Sequence, residues 1–255
     1  MRTNRPSSLL QATLAVITPL ALSQTSVRSE QPINIANAAS LHRASADTNR
    51  SIVRPSVKSK YIVIFLHGLR ASGSVMATLG TSWKETLVST DFVAPNAPFR
   101  HRSGGHEWLS VDDQVLRPDR IEAARRAFDE LIVEIVRREG FENDLNRVAF
   151  VGVSQGAIME LDAIASGRWK VGALVSFAGL LPMPPTVQSS GRIPVLPLHG
   201  GVDHRIPPAA SVSAARQLKS AGFDVTLNVV PGVGQTISSE EAREALRFLA
   251  NKFES

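Results

Sequence analysis

Gly152-Val153-Ser154-Gln155-Gly156 sets a serine between two glycines, each two residues away. Glycines are needed there when a strand turns sharply into a helix and lifts the serine hydroxyl clear of the backbone. The context fits such a turn, because the apolar run Arg147–Gly152 precedes it and Ala157-Ile158-Met159-Glu160-Leu161 follows. Upstream, Leu66-His67-Gly68-Leu69 closes another apolar run. A loop in that position supplies one backbone N–H for a developing oxyanion, here from Leu69. The residue after the serine, Gln155, supplies the second. Downstream, Leu198-His199-Gly200-Gly201-Val202-Asp203 puts a carboxylate after a late apolar run. An acid in that place orients a catalytic base and stabilises its charged form. The chemistry on offer is acyl transfer through a serine.

These residues must be held by a scaffold, and the sequence supplies its parts. Tyr61–Phe65, Arg147–Gly152, Val171–Phe177, Pro194–His199 and Asp224–Val230 are short β-branched runs of the kind buried on both faces of a sheet. Asp91–Pro95 is a weaker candidate strand. Between them, Ile121, Ala124, Phe128, Leu131, Ile132, Ile135 and Val136 fall on one helical face, and Asp119 with Glu122 has the spacing of a capping box. A last helix opens at Ser238-Ser239-Glu240-Glu241 with Ala242, Ala245, Leu246, Leu249 and Phe253 as its apolar stripe. Strands alternating with helices imply a mainly parallel central sheet with helices on both faces. Its site would lie at the carboxyl ends of the strands.

Taken together, Phe65–Leu69, Ala94-Pro95-Asn96-Ala97-Pro98, Glu107-Trp108, Gly152–Gly156, Leu198–Gly200 with Asp203 and Ile206-Pro207, and Pro231-Gly232-Val233-Gly234 resemble the phospholipase/carboxylesterase family of α/β-hydrolases, which includes the acyl-protein thioesterases. The resemblance implies an α/β-hydrolase fold over residues 58–255 with no large cap domain. It implies cleavage of carboxylic esters or thioesters through an acyl-enzyme on Ser154, with no cofactor and no metal. Asp203 would be the orienting acid. Trp108, Leu180 and Leu181 would line the pocket for the acyl group.

The family places its catalytic histidine after the Pro-Gly-x-Gly turn, and this chain has Gln235 there. An amide does not titrate near neutral pH, so it cannot take the serine's proton. Three accounts follow. The chain is a pseudoenzyme that binds acyl or ester ligands; it carries an inactivating change from a parent enzyme; or another imidazole, His204 or His106, supplies the base. The partner in each case is a small ester or thioester.

Two further function classes are addressed by charge and composition. Residues 1–60 hold eight Lys or Arg and two acids, whereas the rest holds 20 basic and 21 acidic residues. The basicity therefore lies outside the domain, and no basic stripe marks a nucleic-acid surface. There is no cysteine, which excludes disulfides, thiolate ligands and a cysteine nucleophile. Residues 1–23 join Arg2 and Arg5 to an apolar run ending in small residues, which fits a signal peptide and export to the periplasm or medium. An Arg- and Ser-rich transit peptide has a similar make-up, and without either signal the protein would stay in the cytoplasm. The apolar run is too short for a membrane span. Residues 24–57 read as a flexible linker, poor in apolar periodicity.

Overall fold

The structure, a computed structural model, describes residues 59–110, 118–189 and 193–253. The expectations for residues 1–57 lie outside the described residues. Strands β1 (Tyr61–Leu66), β2 (Thr90–Val93), β5 (Val148–Val153), β6 (Ala173–Phe177), β7 (Pro194–Gly200), β8 (Asp224–Val225) and β9 (Asn228–Val230) form one sheet. Its order is β2-β1-β5-β6-β7-β8 with β9 also on β7, and every pairing is parallel. The short hairpin β3 (Phe99–Arg100) and β4 (His106–Glu107) stands apart from it.

Parallel strands need crossovers, and here these are helices that bury the strands on both sides. Side-chain alternation along β1 and β5 makes this explicit. Ile62, Ile64, Leu66, Val148 and Phe150 pack with Phe128 and Ile132 of α2 (Pro118–Glu139), Met159 and Leu161 of α3 (Gln155–Ala165), and Ala215 and Leu218 of α4 (Pro208–Ser220). Val63, Phe65, Ala149 and Val151 point the other way, against Met76 and Trp83 of α1 (Gly73–Trp83) and Ala245 and Leu249 of α5 (Ser239–Phe253). Among the described residues no helical cap interrupts the path between β6 and β7.

Three details depart from the sequence reading. The run Asp224–Val230 is two strands, because Thr226 N–H donates to the Val195 carbonyl and the chain steps along β7 before pairing again at Leu198–Gly200. Helix α2 begins at Pro118, so Asp119 lies in its first turn, where its charge favours the helix dipole. Glu122 ion-pairs with Arg125 at 2.6 Å. The capping box belongs to α5: Ser238 Oγ accepts from Glu241 N–H at 3.2 Å, and Glu241 Oε2 accepts from Ser238 N–H at 2.8 Å. Helices α1 and α4 and the β3–β4 hairpin have weaker periodicity and were not anticipated.

Candidate functional site

Ser154 follows β5 immediately and caps α3 with φ 53° and ψ −114°. A side chain at that φ is strained, and such strain is kept where the surroundings over-determine it. Its N–H is held by the Phe177 carbonyl at 2.9 Å, and its carbonyl takes the N–H of Ile158 at 3.0 Å. The glycines two residues away are required by space. A Cβ on Gly156 would sit 2.2 Å from the Leu66 carbonyl oxygen, and one on Gly152 would sit 2.7 Å from Ala157 N. The sharp turn is thus a consequence of how closely α3 passes over β1 and β5.

The loop after β1 runs beside Ser154. A Cβ on Gly68 would lie 3.5 Å from Ser154 Cβ, so the residue preceding Leu69 packs against the serine. Among the described residues the N–H groups of Leu69 and Gln155 have no acceptor in the protein. Leu69 is 44% exposed, and Ser154 is partly exposed. Two donors without internal partners, flanking an accessible hydroxyl, are suited to an oxygen that gains negative charge.

Buried polar groups brace this loop. His67 Nε2 accepts from Ala97 N–H at 2.9 Å, and His67 Nδ1 donates to the Gly68 carbonyl at 2.7 Å. That pair of bonds requires the neutral ring. Burial holds its pKa below the ordinary value; the bond to Gly68 works against this, and nearby His106 adds to it. Trp108 donates its indole N–H to the His67 carbonyl at 2.9 Å. The Gln155 side chain is a clamp: Oε1 accepts from Trp108 N–H at 2.7 Å and Nε2 donates to the Leu109 carbonyl at 2.5 Å. Expected on the acyl-pocket wall, Trp108 is only 1% exposed and lies in the core. Leu180 and Leu181 are half-buried after β6, with Leu181 packed against the core.

The acid side is built differently. Asp203 is buried in the turn after β7, where Oδ1 accepts from Arg205 N–H at 2.8 Å and Ile206 N–H at 3.1 Å. Its Oδ2 has no hydrogen-bond partner. The buried imidazole of His199 stands with Nε2 3.5 Å from that oxygen but is committed elsewhere, Nε2 to the Ile206 carbonyl at 2.8 Å and Nδ1 to Ser211 Oγ at 2.6 Å. Gln235, partly exposed after β9, donates from Nε2 to Ser154 Oγ at 3.3 Å. The structure therefore brings Gln235 to Ser154 and sets Gly68, the residue before Leu69, beside the serine. His204 is exposed in its turn, and His106 Nδ1 is engaged with the Ala97 carbonyl at 2.8 Å. Neither ring makes a recorded bond to Ser154 or Asp203.

A model of the phospholipase/carboxylesterase family matches residues 47–252. The chain belongs to that family. The esterase YpfH of Escherichia coli is 29% identical over 76% of this chain and 84% of its own length. Acyl-protein thioesterase 1 of Debaryomyces hansenii is 26% identical over 75% and 90%. Among solved structures, esterase PE8 superposes with a TM-score of 0.70 at 29% identity, covering 76% of this chain and 93% of its own. The Bacillus cereus carboxylesterase, at 15% identity, shares the fold with a TM-score of 0.67 over 76% and 90%.

Two features within this family member escaped the sequence reading. The Gln155 side-chain clamp had no periodic signal, since only its backbone was assigned a task. Glu160 did leave one: a carboxylate inside the apolar opening of α3. It is fully buried against Gly152, whose backbone approaches the carboxyl without giving either oxygen a well-formed hydrogen bond. Burial pushes its pKa well above the ordinary range, offset in part by the Gly152 backbone. Ser176, beside Gly152 in the neighbouring strand, also has an unpartnered buried hydroxyl. Among the described residues there is no cluster able to hold a metal ion, and no helix is long and apolar enough to cross a membrane.

Proposed function

We propose that this chain acts on carboxylic esters or thioesters by taking the acyl group onto Ser154, with slow turnover because Gln235 occupies the place of the base. The observation that carries the reading is the 3.3 Å contact from Gln235 Nε2 to Ser154 Oγ. In this reading it is the family's base-to-nucleophile contact, with the base replaced by an amide that donates a hydrogen bond to the serine oxygen but cannot take its proton. Leu69 and Gln155 hold the oxyanion, Asp203 keeps the position of the orienting acid, and Leu180 and Leu181 flank the acyl chain. No cofactor, nucleic acid or metal takes part. In this reading residues 1–23 direct export, which N-terminal sequencing of the protein recovered from cells checks: an intact Met1 argues against cleavage.

A second reading, a pseudoenzyme that only binds such ligands, is favoured by the unpartnered Oδ2 of Asp203, since a working triad satisfies that oxygen. Hydrolysis of an activated short-chain ester by the native protein, by Gln235→His and by Ser154→Ala separates the two. The proposal expects weak native activity that vanishes with Ser154→Ala and rises steeply with Gln235→His. A native protein that does nothing, while Gln235→His turns over, establishes the pseudoenzyme.

A further inference from the structure

Resting on the proposed function, we infer that this chain is a single-turnover acyl acceptor: it takes an acyl group from thioesters and retains it on Ser154, while alkyl esters leave it unmodified.

A triad imidazole acts twice in each half-reaction. It takes a proton from the attacking oxygen and gives one to the departing atom. Gln235 does neither, because an amide at neutral pH neither accepts nor releases a proton. Of the other described imidazoles, none bonds to Ser154, and exposed His204 bonds to neither Ser154 nor Asp203. His67 and His199 are fully buried with both ring nitrogens bonded to other groups, and His106 Nδ1 is held by the Ala97 carbonyl. Proton transfer in the open part of the cleft is left to water and hydroxide.

Loss of the imidazole weighs unequally on the two half-reactions. In the first, hydroxide or water takes the Ser154 proton and Oγ bonds to the acyl carbon. The carbonyl electron pair moves onto oxygen, where the N–H groups of Leu69 and Gln155 receive it. Collapse restores the carbonyl and expels sulfur with the C–S bonding pair. A thiol ionises near pH 8.5, so a thiolate departs without first being protonated. Only the base is missed. In the second half-reaction water attacks the serine ester, and collapse must expel the Ser154 alkoxide. That group is a far stronger base than a thiolate and leaves only if it is protonated. Here both the base for water and the acid for Oγ are missed. Each such transfer contributes about 10²–10⁴-fold, so the acyl-serine outlives its formation. An alkyl ester needs an acid for its alkoxide in the very first step, and is therefore a poor donor.

The oxyanion side contributes to this asymmetry. The Gln155 clamp and the neutral His67 hold the two donors ready without any contribution from Gln235. Transition-state stabilisation is retained where proton transfer is not.

The test uses the protein with excess S-butyryl-N-acetylcysteamine or excess n-butyl butyrate, followed by intact mass and peptide mapping. The expected result is one butyryl group on Ser154 from the thioester, release of one equivalent of thiol, and retention about 10²-fold longer than the time of labelling. Butyl butyrate gives no label over the same interval. Gln235→His releases many equivalents of thiol and accumulates no acyl group, and Ser154→Ala is not labelled. Many equivalents of thiol released by the native protein without an acyl intermediate would overturn the inference, as would equal labelling by both donors. Absence of native labelling while Gln235→His turns over overturns it too, and leaves the family reaction intact. If the native protein is labelled but Gln235→His gains no turnover, the acceptor role stands and the placement of Gln235 at the base position falls. If neither protein reacts at Ser154, the inference and the proposed function fall together.

Discussion

The two sides of Ser154 are built to different standards. On the oxyanion side, His67, Trp108 and Gln155 are buried, and their side-chain donors and acceptors meet partners at 2.5–2.9 Å. On the side proposed for proton transfer, Asp203 Oδ2 is buried with no partner, and Gln235 reaches Ser154 at 3.3 Å. The first side is bound into the core, since Trp108 packs in the main apolar cluster and cannot change without a cavity. The second rests on one partly exposed side chain at the end of a loop. Folding thus enforces the oxyanion side and is indifferent to the identity of residue 235. Under the proposed function, that difference accounts for an oxyanion site kept without a base.

The sharpest way to break the contrast is to restore the second side. Gln235→His should place an imidazole between Ser154 Oγ and the unpartnered Asp203 Oδ2. Steady-state hydrolysis of an aryl ester should rise by about 10³-fold or more, given that loss of the corresponding residue in a serine protease costs about 10⁶-fold. A gain below tenfold would mean that Asp203 and residue 235 are not aligned as the loop positions suggest.

Next in size is an attack on the first side. Gly156→Ala introduces a Cβ 2.2 Å from the Leu66 carbonyl oxygen and 2.8 Å from that of His67. Neither neighbour is a flexible side chain, so α3 must move off β1. Overpacking of this kind costs typically about 1–3 kcal/mol and occasionally more, and the upper end is expected here. Urea denaturation measures it. In the Gln235→His background the same change should also lower acylation, because it displaces the Gln155 amide.

The turn around Ser154 was legible in the sequence because steric need writes itself as glycine at fixed spacing. The strands were legible for a similar reason: burial on both faces leaves an unbroken β-branched run, as in Tyr61–Leu66. Gln235 stood out in the sequence only as the residue after the Pro-Gly-x-Gly turn, and its 3.3 Å contact with Ser154 Oγ is visible only in three dimensions. The Gln155 clamp was not, because its partners, Trp108 and Leu109, lie 47 and 46 residues away and a polar side chain of that type is ordinary after a nucleophile. Nor was the burial of Trp108, since an aromatic near a cleft and an aromatic beneath one look alike in one dimension. Glu160 stood in plain view within an apolar helix, yet its meaning depends on the depth at which α3 sits.

Glu160 supplies a smaller prediction, directed at the ground both sides share. Its carboxyl is buried without a well-formed hydrogen bond below the elbow, and its pKa is raised by burial. In the unfolded chain it ionises near its ordinary 4.5. As pH climbs above that value the unfolded state loses the proton first, so stability falls with rising pH until the folded carboxyl ionises as well. Glu160→Met should remove this slope and stabilise the protein at neutral pH by about 1–3 kcal/mol, the typical cost of an unsatisfied buried polar group. His67 acts in the opposite sense. Its pKa is lowered from 6.5 in the fold, so the unfolded state gains a proton first as pH falls and stability declines below that value. Denaturation curves at pH 5, 7 and 9 for the native protein and Glu160→Met check both. If the variant keeps the native loss of stability on the alkaline side, another group carries it.

The smallest effect is the most discriminating about the acid. Asp203→Asn retains Oδ1, the atom that accepts from Arg205 and Ile206, and alters only the oxygen that has no partner. With Gln235 in place there is no imidazole to orient, so acylation of Ser154 should stay as it is, while denaturation should register a loss of about 1 kcal/mol as neutral hydrogen bonds at Oδ1 replace charge-assisted ones. In the Gln235→His background the same substitution should matter greatly, by about 10⁴-fold in turnover, because the acid then fixes the tautomer of a working base. The two sides of the site would thus prove coupled through residue 235 alone. A large loss from Asp203→Asn in the native protein would instead show that Asp203 serves Ser154 by a route that bypasses Gln235, and the contrast between a finished and an unfinished side would no longer hold.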